Sequence, residues 1–275
     1  MHPVLFQFGV IAIPSYGVLA AVGVLAALAL SHWTARVSAL DPRHLWNILV
    51  LGVFSALVVS RLTLIVINLS NLRVHPRWLL ALALVHHPLL AAIGIGGAAI
   101  AAGVYLAWAR LPVLAVADAL AAPLALGIVF EQLGALLAGS GYGSDASIPW
   151  AVTYSSTYAA RWSGTPLGVA LHPVQAYAAV GSLLIAGLAW LSPRLLPGRR
   201  TGDIAGLVLI AAGIVLFLTE NFRDWEGRGV VLHGRADAPQ LVAVVSVLFG
   251  GVLLADLNPN PRGNPPATPS GALHG

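Results

Sequence analysis

Seven apolar runs divide this chain from end to end, each near the roughly 20 residues an α-helix needs to cross a hydrocarbon core of about 30 Å. They fall near residues 10–32, 46–68, 87–109, 113–139, 170–191, 203–220 and 238–256. Polar or proline-bearing joints separate them: Arg36 to Arg43, Asn71 to Arg77, Arg110 to Pro112, Ser140 to Pro166, Pro193 to Thr201, and Asn221 to Pro239. The runs are rich in Gly and Ala, which lets helices approach closely in lipid. With 58% of the 275 residues hydrophobic and 9% charged, against roughly a quarter charged in a soluble domain, more apolar surface is present than a soluble interior can hide. The expected fold is all-α: a polytopic membrane protein of about seven transmembrane helices with a short extracytoplasmic loop region. Residues 1–257 form one membrane domain, and 258–275 form a Pro/Gly-rich C-terminal tail expected to be disordered.

All 14 basic residues are arginine and cysteine is absent. That excludes a disulfide framework, a thiolate nucleophile and Cys-based zinc patterns, and the sequence calls for no cofactor and no metal. The formal charge of +4 does not point to nucleic acid, because the arginines stand singly between apolar runs and form no basic stripe with interleaved aromatics. They read as juxtamembrane anchors for a lipid bilayer with an anionic surface. Arginines divide almost evenly between the two sides, so the cluster Arg194, Arg199 and Arg200 in one short joint decides the orientation. It places that joint and the tail in the cytoplasm and the N-terminus outside. Met1 to Gly9 carries no basic stretch, and no small-residue cleavage site follows the first run, which therefore reads as a retained helix.

An ionisable side chain at helix depth costs a few kcal/mol, so each one asks for a reason. Arg61, Asp118, Glu131, His172 and Glu220 are such residues, with Arg223 and Arg228 just beyond the sixth run. Each has a structural reading, an internal salt bridge or a snorkelling end group, beside a functional one. Arg61 stands about two turns from Asn68, deep for snorkelling, and needs a carboxylate or an anionic ligand. Glu220 and Arg223 are three apart and share a helix face, so they can pair, or Arg61 and Arg223 can hold a phosphate headgroup between them. His172-Pro173 opens the fifth run with Gln175 and Tyr177 close behind, while His86-His87-Pro88 reads as a helix start alone. Gly139-Ser140-Gly141-Tyr142-Gly143 is an irregular turn. It is either a tight loop or a place where a lipid headgroup meets backbone N–H groups.

In order and spacing these pieces resemble the bacterial prolipoprotein diacylglyceryl transferases, over roughly residues 5 to 255. Ser15-Tyr16-Gly17 is similar to that family's early Ser-Tyr-Gly motif, and Ser60-Arg61-Leu62 to its second-span Arg motif. Asp118 with Leu124-Ala125-Leu126-Gly127 resembles the approach to the family signature, which Gln132-Leu133-Gly134-Ala135 through Tyr142-Gly143 then occupies. His172-Pro173-Val174-Gln175-Ala176-Tyr177 is close to its His-Pro-Ser-Gln-Leu-Tyr, and Phe217, Glu220 and Arg223 to its late Arg-Phe, Glu, Arg pattern.

The resemblance implies an enzyme of the bacterial plasma (inner) membrane that moves the diacylglyceryl group of phosphatidylglycerol, or of another anionic phospholipid, onto the lipobox cysteine behind a prolipoprotein signal peptide. A thiol of pKa about 8.5 must become a thiolate, and the departing glycerol phosphate needs positive charge beside it. Carried over, the candidate catalytic residues are Tyr16, His172 and Glu220, with His172 or Glu220 as base. Arg61 and Arg223 would hold the phosphate, and Gly143, Gln175 and Tyr177 complete the lipid-binding set. The chain departs from the family pattern at Gln132 and Ala135, where Arg and Asn are usual, and at Ser140, which replaces Glu. Ile95 stands for His, and Ala212 and Leu216 for Tyr and Arg. These departures keep a second reading open: a catalytically inactive lipid-binding or regulatory paralogue on the same scaffold.

Overall fold

The computed structural model describes residues 2–8, 11–70, 88–224, 230–231 and 236–255. The expected tail at 258–275, Arg228, His86, His87 and the joint Asn71 to Arg77 lie outside the described residues. Among the described residues, seven long helices account for the seven apolar runs: α1 (Ser15–Val37), α2 (Pro42–Ile67), α3 (Pro88–Trp108), α4 (Val113–Ala138), α6 (Val174–Leu195), α7 (Asp203–Glu220) and α8 (Ala238–Leu254), with a short α5 (Thr157–Ser163) in the loop after α4. All but α5 and α8 are long and apolar enough to cross a membrane. The 17 residues of α8 reach about 26 Å, a few ångströms short of the hydrocarbon layer, a mismatch that bilayer thinning absorbs cheaply. The chain is an all-α polytopic membrane protein, and its outward faces are apolar, with Leu184 70% and Val66 69% exposed.

Three helix starts differ from the hydropathy reading, each for a local reason. The first run starts in a hairpin rather than a helix: β1 (Val4–Phe8) pairs antiparallel with β2 (Ile11–Pro14). Pro14, extended at φ −70 and ψ 134, stands before α1, and Ser15 N–H donates to the Pro3 carbonyl at 2.9 Å. The second helix begins four residues early because Asp41 caps it, accepting from Arg43 N–H at 2.9 Å, with Pro42 in the first turn. The fifth run begins four residues late, since β4 (Ala170–Leu171) pairs with β3 (Val152–Thr153) before Pro173 starts α6.

Helix α4 is the centre of the bundle. It packs on α1 and α6, and less extensively on α7, while α2–α3 and α7–α8 form flanking pairs. Small residues set the spacing: a Cβ on Gly23 of α1 would lie 2.9 Å from the Gly127 carbonyl of α4, so the two backbones touch there. Asp118 of α4 caps a different helix. Its Oδ2 accepts from Gly202 N–H at 2.7 Å and its Oδ1 from Ala205 N–H at 2.8 Å, satisfying two amides at the start of α7. The polar burden of Asp118 is thereby explained structurally. At the opposite end of the bundle, the starts of α1 and α6 meet the ends of α4 and α7.

Candidate functional site

The last turn of α4 leaves carbonyls that the helix cannot pair, and the surrounding elements meet them one by one. Gly139 ends the helix in the left-handed region at φ 84. Tyr154 Oη donates to the Leu136 carbonyl at 2.8 Å, Thr165 Oγ1 to Gly139 at 2.9 Å, Gln175 Nε2 to Ser140 at 2.7 Å, and Arg223 Nη1 to Gly141 at 2.7 Å. Burial pushes the Tyr154 hydroxyl up to about 12, which keeps it a neutral donor. Side chains from the loop, from α6 and from beyond α7 thus converge on one turn.

Gly143 lies where three strands of chain cross. A Cβ there would sit 2.7 Å from His172 Cβ and 2.8 Å from the Phe222 carbonyl, so only glycine fits. Gly143 bridges antiparallel to Arg223, Ser144 N–H donates to the Phe222 carbonyl at 2.9 Å, and His172 N–H to the Ser144 carbonyl at 2.9 Å. These bonds tie the start of α6 to the end of α7 through the glycine turn.

Glu220, 2% exposed, closes α7 and accepts Arg223 Nε–H at 2.7 Å through Oε1. Its Oε2 has no hydrogen-bond partner, nor has Oε1 of Gln175, which is 1% exposed. His172 Nδ1 lies 3.3 Å from Tyr177 Oη, and its ring packs against Phe222 with centroids 5.1 Å apart. Trp150 Nε1 donates to the same tyrosine oxygen at 2.9 Å, so His172, Tyr177, Phe222 and Trp150 make an aromatic rim. Deeper in, Tyr16 Oη donates to Glu131 Oε1 at 3.1 Å, and Gln132 Nε2 donates to Glu131 Oε2 at 2.7 Å.

Of the residues selected from the sequence, Tyr16, Gly143, His172, Gln175, Tyr177, Glu220 and Arg223 gather at this end of the bundle. Arg61 is half-buried on α2 and is itself engaged, but the ion pair at Glu220 is made by Arg223. Sequence reasoning missed Tyr154 and Thr165, whose only signal is that the end of α4 needs donors. It named Glu131 and Tyr16 without joining them. Among the described residues no group of three His, Asp or Glu side chains is placed to hold a metal ion.

Set beside known proteins, residues 3–255 match the profile of the family described as prolipoprotein diacylglyceryl transferase. A protein of Clostridium tetani named phosphatidylglycerol–prolipoprotein diacylglyceryl transferase is 26% identical over 251 residues, covering 91% of this chain and 95% of that protein. One of Symbiobacterium thermophilum with the same name is 29% identical over 264 residues, covering 93% and 92%. A third, of Azospirillum brasilense, reaches 32% identity over 158 residues, 56% of each chain.

Proposed function

The chain belongs to the prolipoprotein diacylglyceryl transferase family, and from that membership we propose that it transfers the diacylglyceryl group of phosphatidylglycerol to the lipobox cysteine of a prolipoprotein, in the plasma membrane of a bacterium. The sulfur forms a bond to the glycerol carbon, and the bond from that carbon to the phosphate oxygen breaks. The electron pair leaves with glycerol phosphate, and the thiol proton passes to a base.

The observation that carries the reading is the buried Glu220 Oε2 with no donor, beside the Arg223 guanidinium. An unpaired buried acceptor costs about 1–3 kcal/mol, so a ligand that donates to it gains that amount. A phosphoglycerol headgroup does both tasks: a glycerol hydroxyl donates to Glu220, and the phosphate accepts guanidinium N–H groups. Arg223 has five such donors, two of them spent on Glu220 and Gly141. Arg61 adds positive charge from α2, Gln175 offers a second unpaired acceptor, and Gly143 keeps the turn narrow. The rim of His172 and Tyr177 faces the incoming peptide. Orientation follows the arginine cluster at 194–200, which puts this end of the bundle outside.

The second reading, a lipid-binding paralogue without transferase activity, draws on one observation. Arg223 and Gln175 are both committed to loop carbonyls, a use that needs no chemistry. The test is expression of the wild-type chain in bacterial cells depleted of their own transferase. Restored lipoprotein modification is the expected result, with His172→Gln reducing it at equal membrane abundance. Failure of the wild type to restore modification, when it inserts normally, would favour the paralogue.

A further inference from the structure

Among the membrane-depth carboxylates, Glu131 is the one that neither a helix cap nor the turn clamp employs. Asp118 caps α7 and Glu220 is held by Arg223. Glu131 lies seven residues inside Ala138, the last residue of α4, about 10 Å along the axis. The 26 residues of α4 extend about 39 Å and overshoot a layer of about 30 Å by roughly 4–5 Å at each end. Glu131 therefore sits about 6 Å beneath the hydrocarbon boundary, just below the glycerol backbone of a lipid in that leaflet. Both of its hydrogen-bond donors, Tyr16 and Gln132, are neutral. Among the described residues no arginine forms an ion pair with it, and the charge of Arg223 acts on it from beyond contact distance. The residue is half-buried, so the carboxylate is not sealed off.

We propose that Glu131 is the proton acceptor for the incoming cysteine thiol. This rests on the transferase reading above and assigns its missing base. The S–H proton passes to a Glu131 oxygen as sulfur bonds to the glycerol carbon, and the phosphate oxygen departs with the electron pair. A carboxylate accepting two hydrogen bonds keeps lone pairs for a third. Protonation removes a negative charge beside the departing phosphate, so proton transfer and leaving-group departure reinforce each other. The alternatives are less free: Glu220 is neutralised by Arg223, and His172 stands in the aromatic rim with Nδ1 on Tyr177. Tyr16 is a positioning residue that fixes the carboxylate through Oε1.

The groups facing Glu131 are Tyr16 from α1, Gln132 on α4 and, at longer range, Arg223 beyond α7. The experiment measures initial rates against pH in phosphatidylglycerol proteoliposomes with a lipobox peptide, for wild type, Glu131→Gln and Glu131→Asp. Wild type should lose rate on the acid side as its base is protonated. Glu131→Gln should lower kcat by about 100-fold or more, leave KM for the lipid unchanged, and move the acid limb up in pH so that the rate follows the ionisation of the peptide thiol. Glu131→Asp, which keeps the carboxylate on a shorter stem, should keep the acid limb with a smaller loss and serves if the glutamine variant does not fold. A Glu131→Gln kcat within about threefold of wild type would overturn the assignment, as would a large loss with an unchanged pH profile. An inactive wild type would overturn the transferase reading itself, and the assignment with it.

Discussion

Replacing Asp118 by alanine separates a structural from a catalytic use of a residue that the family resemblance singles out. The carboxylate accepts two amide hydrogens at the start of α7, at 2.7 and 2.8 Å, from 84 and 87 residues away. Loss of a helix N-cap costs about 1 kcal/mol and up to about 2, and loss of a negative charge at a helix N-terminus about 0.3–1 kcal/mol more. Asp118→Ala should therefore destabilise the protein by about 1.3–3 kcal/mol. At roughly 2–4 °C per kcal/mol for a chain near this size, the melting temperature should fall by about 3–12 °C. Asp118→Asn keeps one acceptor oxygen and turns an N–H group toward the other amide, so it should lie between wild type and alanine. Purified protein in detergent, followed by tryptophan fluorescence on heating, gives the three melting temperatures. If Asp118→Ala melts within about 2 °C of wild type yet abolishes lipoprotein modification, the capping argument is wrong and Asp118 acts in the reaction.

Gly143→Ala should force the carbonyl of Phe222 away from the turn and cost about 1–3 kcal/mol by overpacking, read as a lower melting temperature. Gly96→Ala, with nothing within 4 Å of its added methyl, should be neutral, and equal melting of the two variants would refute the crossing at Gly143. A reporter active only in the cytoplasm, fused after Gly275, should give signal. A silent reporter on well-expressed protein would reverse the orientation drawn from Arg194, Arg199 and Arg200.

Hydropathy was a good guide to the bundle because lipid leaves a spanning backbone few options: each apolar run must satisfy its own hydrogen bonds as a helix. It failed where the chain leaves lipid but stays apolar. Ala12 and Ile13 are as hydrophobic as the helix that follows, and Ala170 and Leu171 likewise, yet both pairs lie in short strands. An apolar stretch cannot announce its period in so few residues. What distinguishes them is the next proline, Pro14 or Pro173, which supplies the helix start and leaves what precedes it extended.

The site was legible as a set of residues and much less as a set of tasks. Motif spacing selected Gly143, Gln175 and Arg223 as lipid contacts, but a motif records only that certain side chains stand at fixed offsets. The structure gives each of them a bond or a clearance inside the turn after α4. Tyr154 and Thr165 do the same work from ordinary loop sequence, where no offset marks them. The rule that a helix end needs donors for its last carbonyls predicts that such partners exist in residues 140–166 without saying which. Glu131 shows the converse. Its depth was visible in the sequence, but its meaning depends on Tyr16, 115 residues away, and on Gln132 being neutral. An arginine next in the chain could have paired with that carboxylate; the amide of Gln132 gives it a hydrogen bond and no charge, so the position where this chain departs from the family pattern is also what leaves Glu131 free to take a proton.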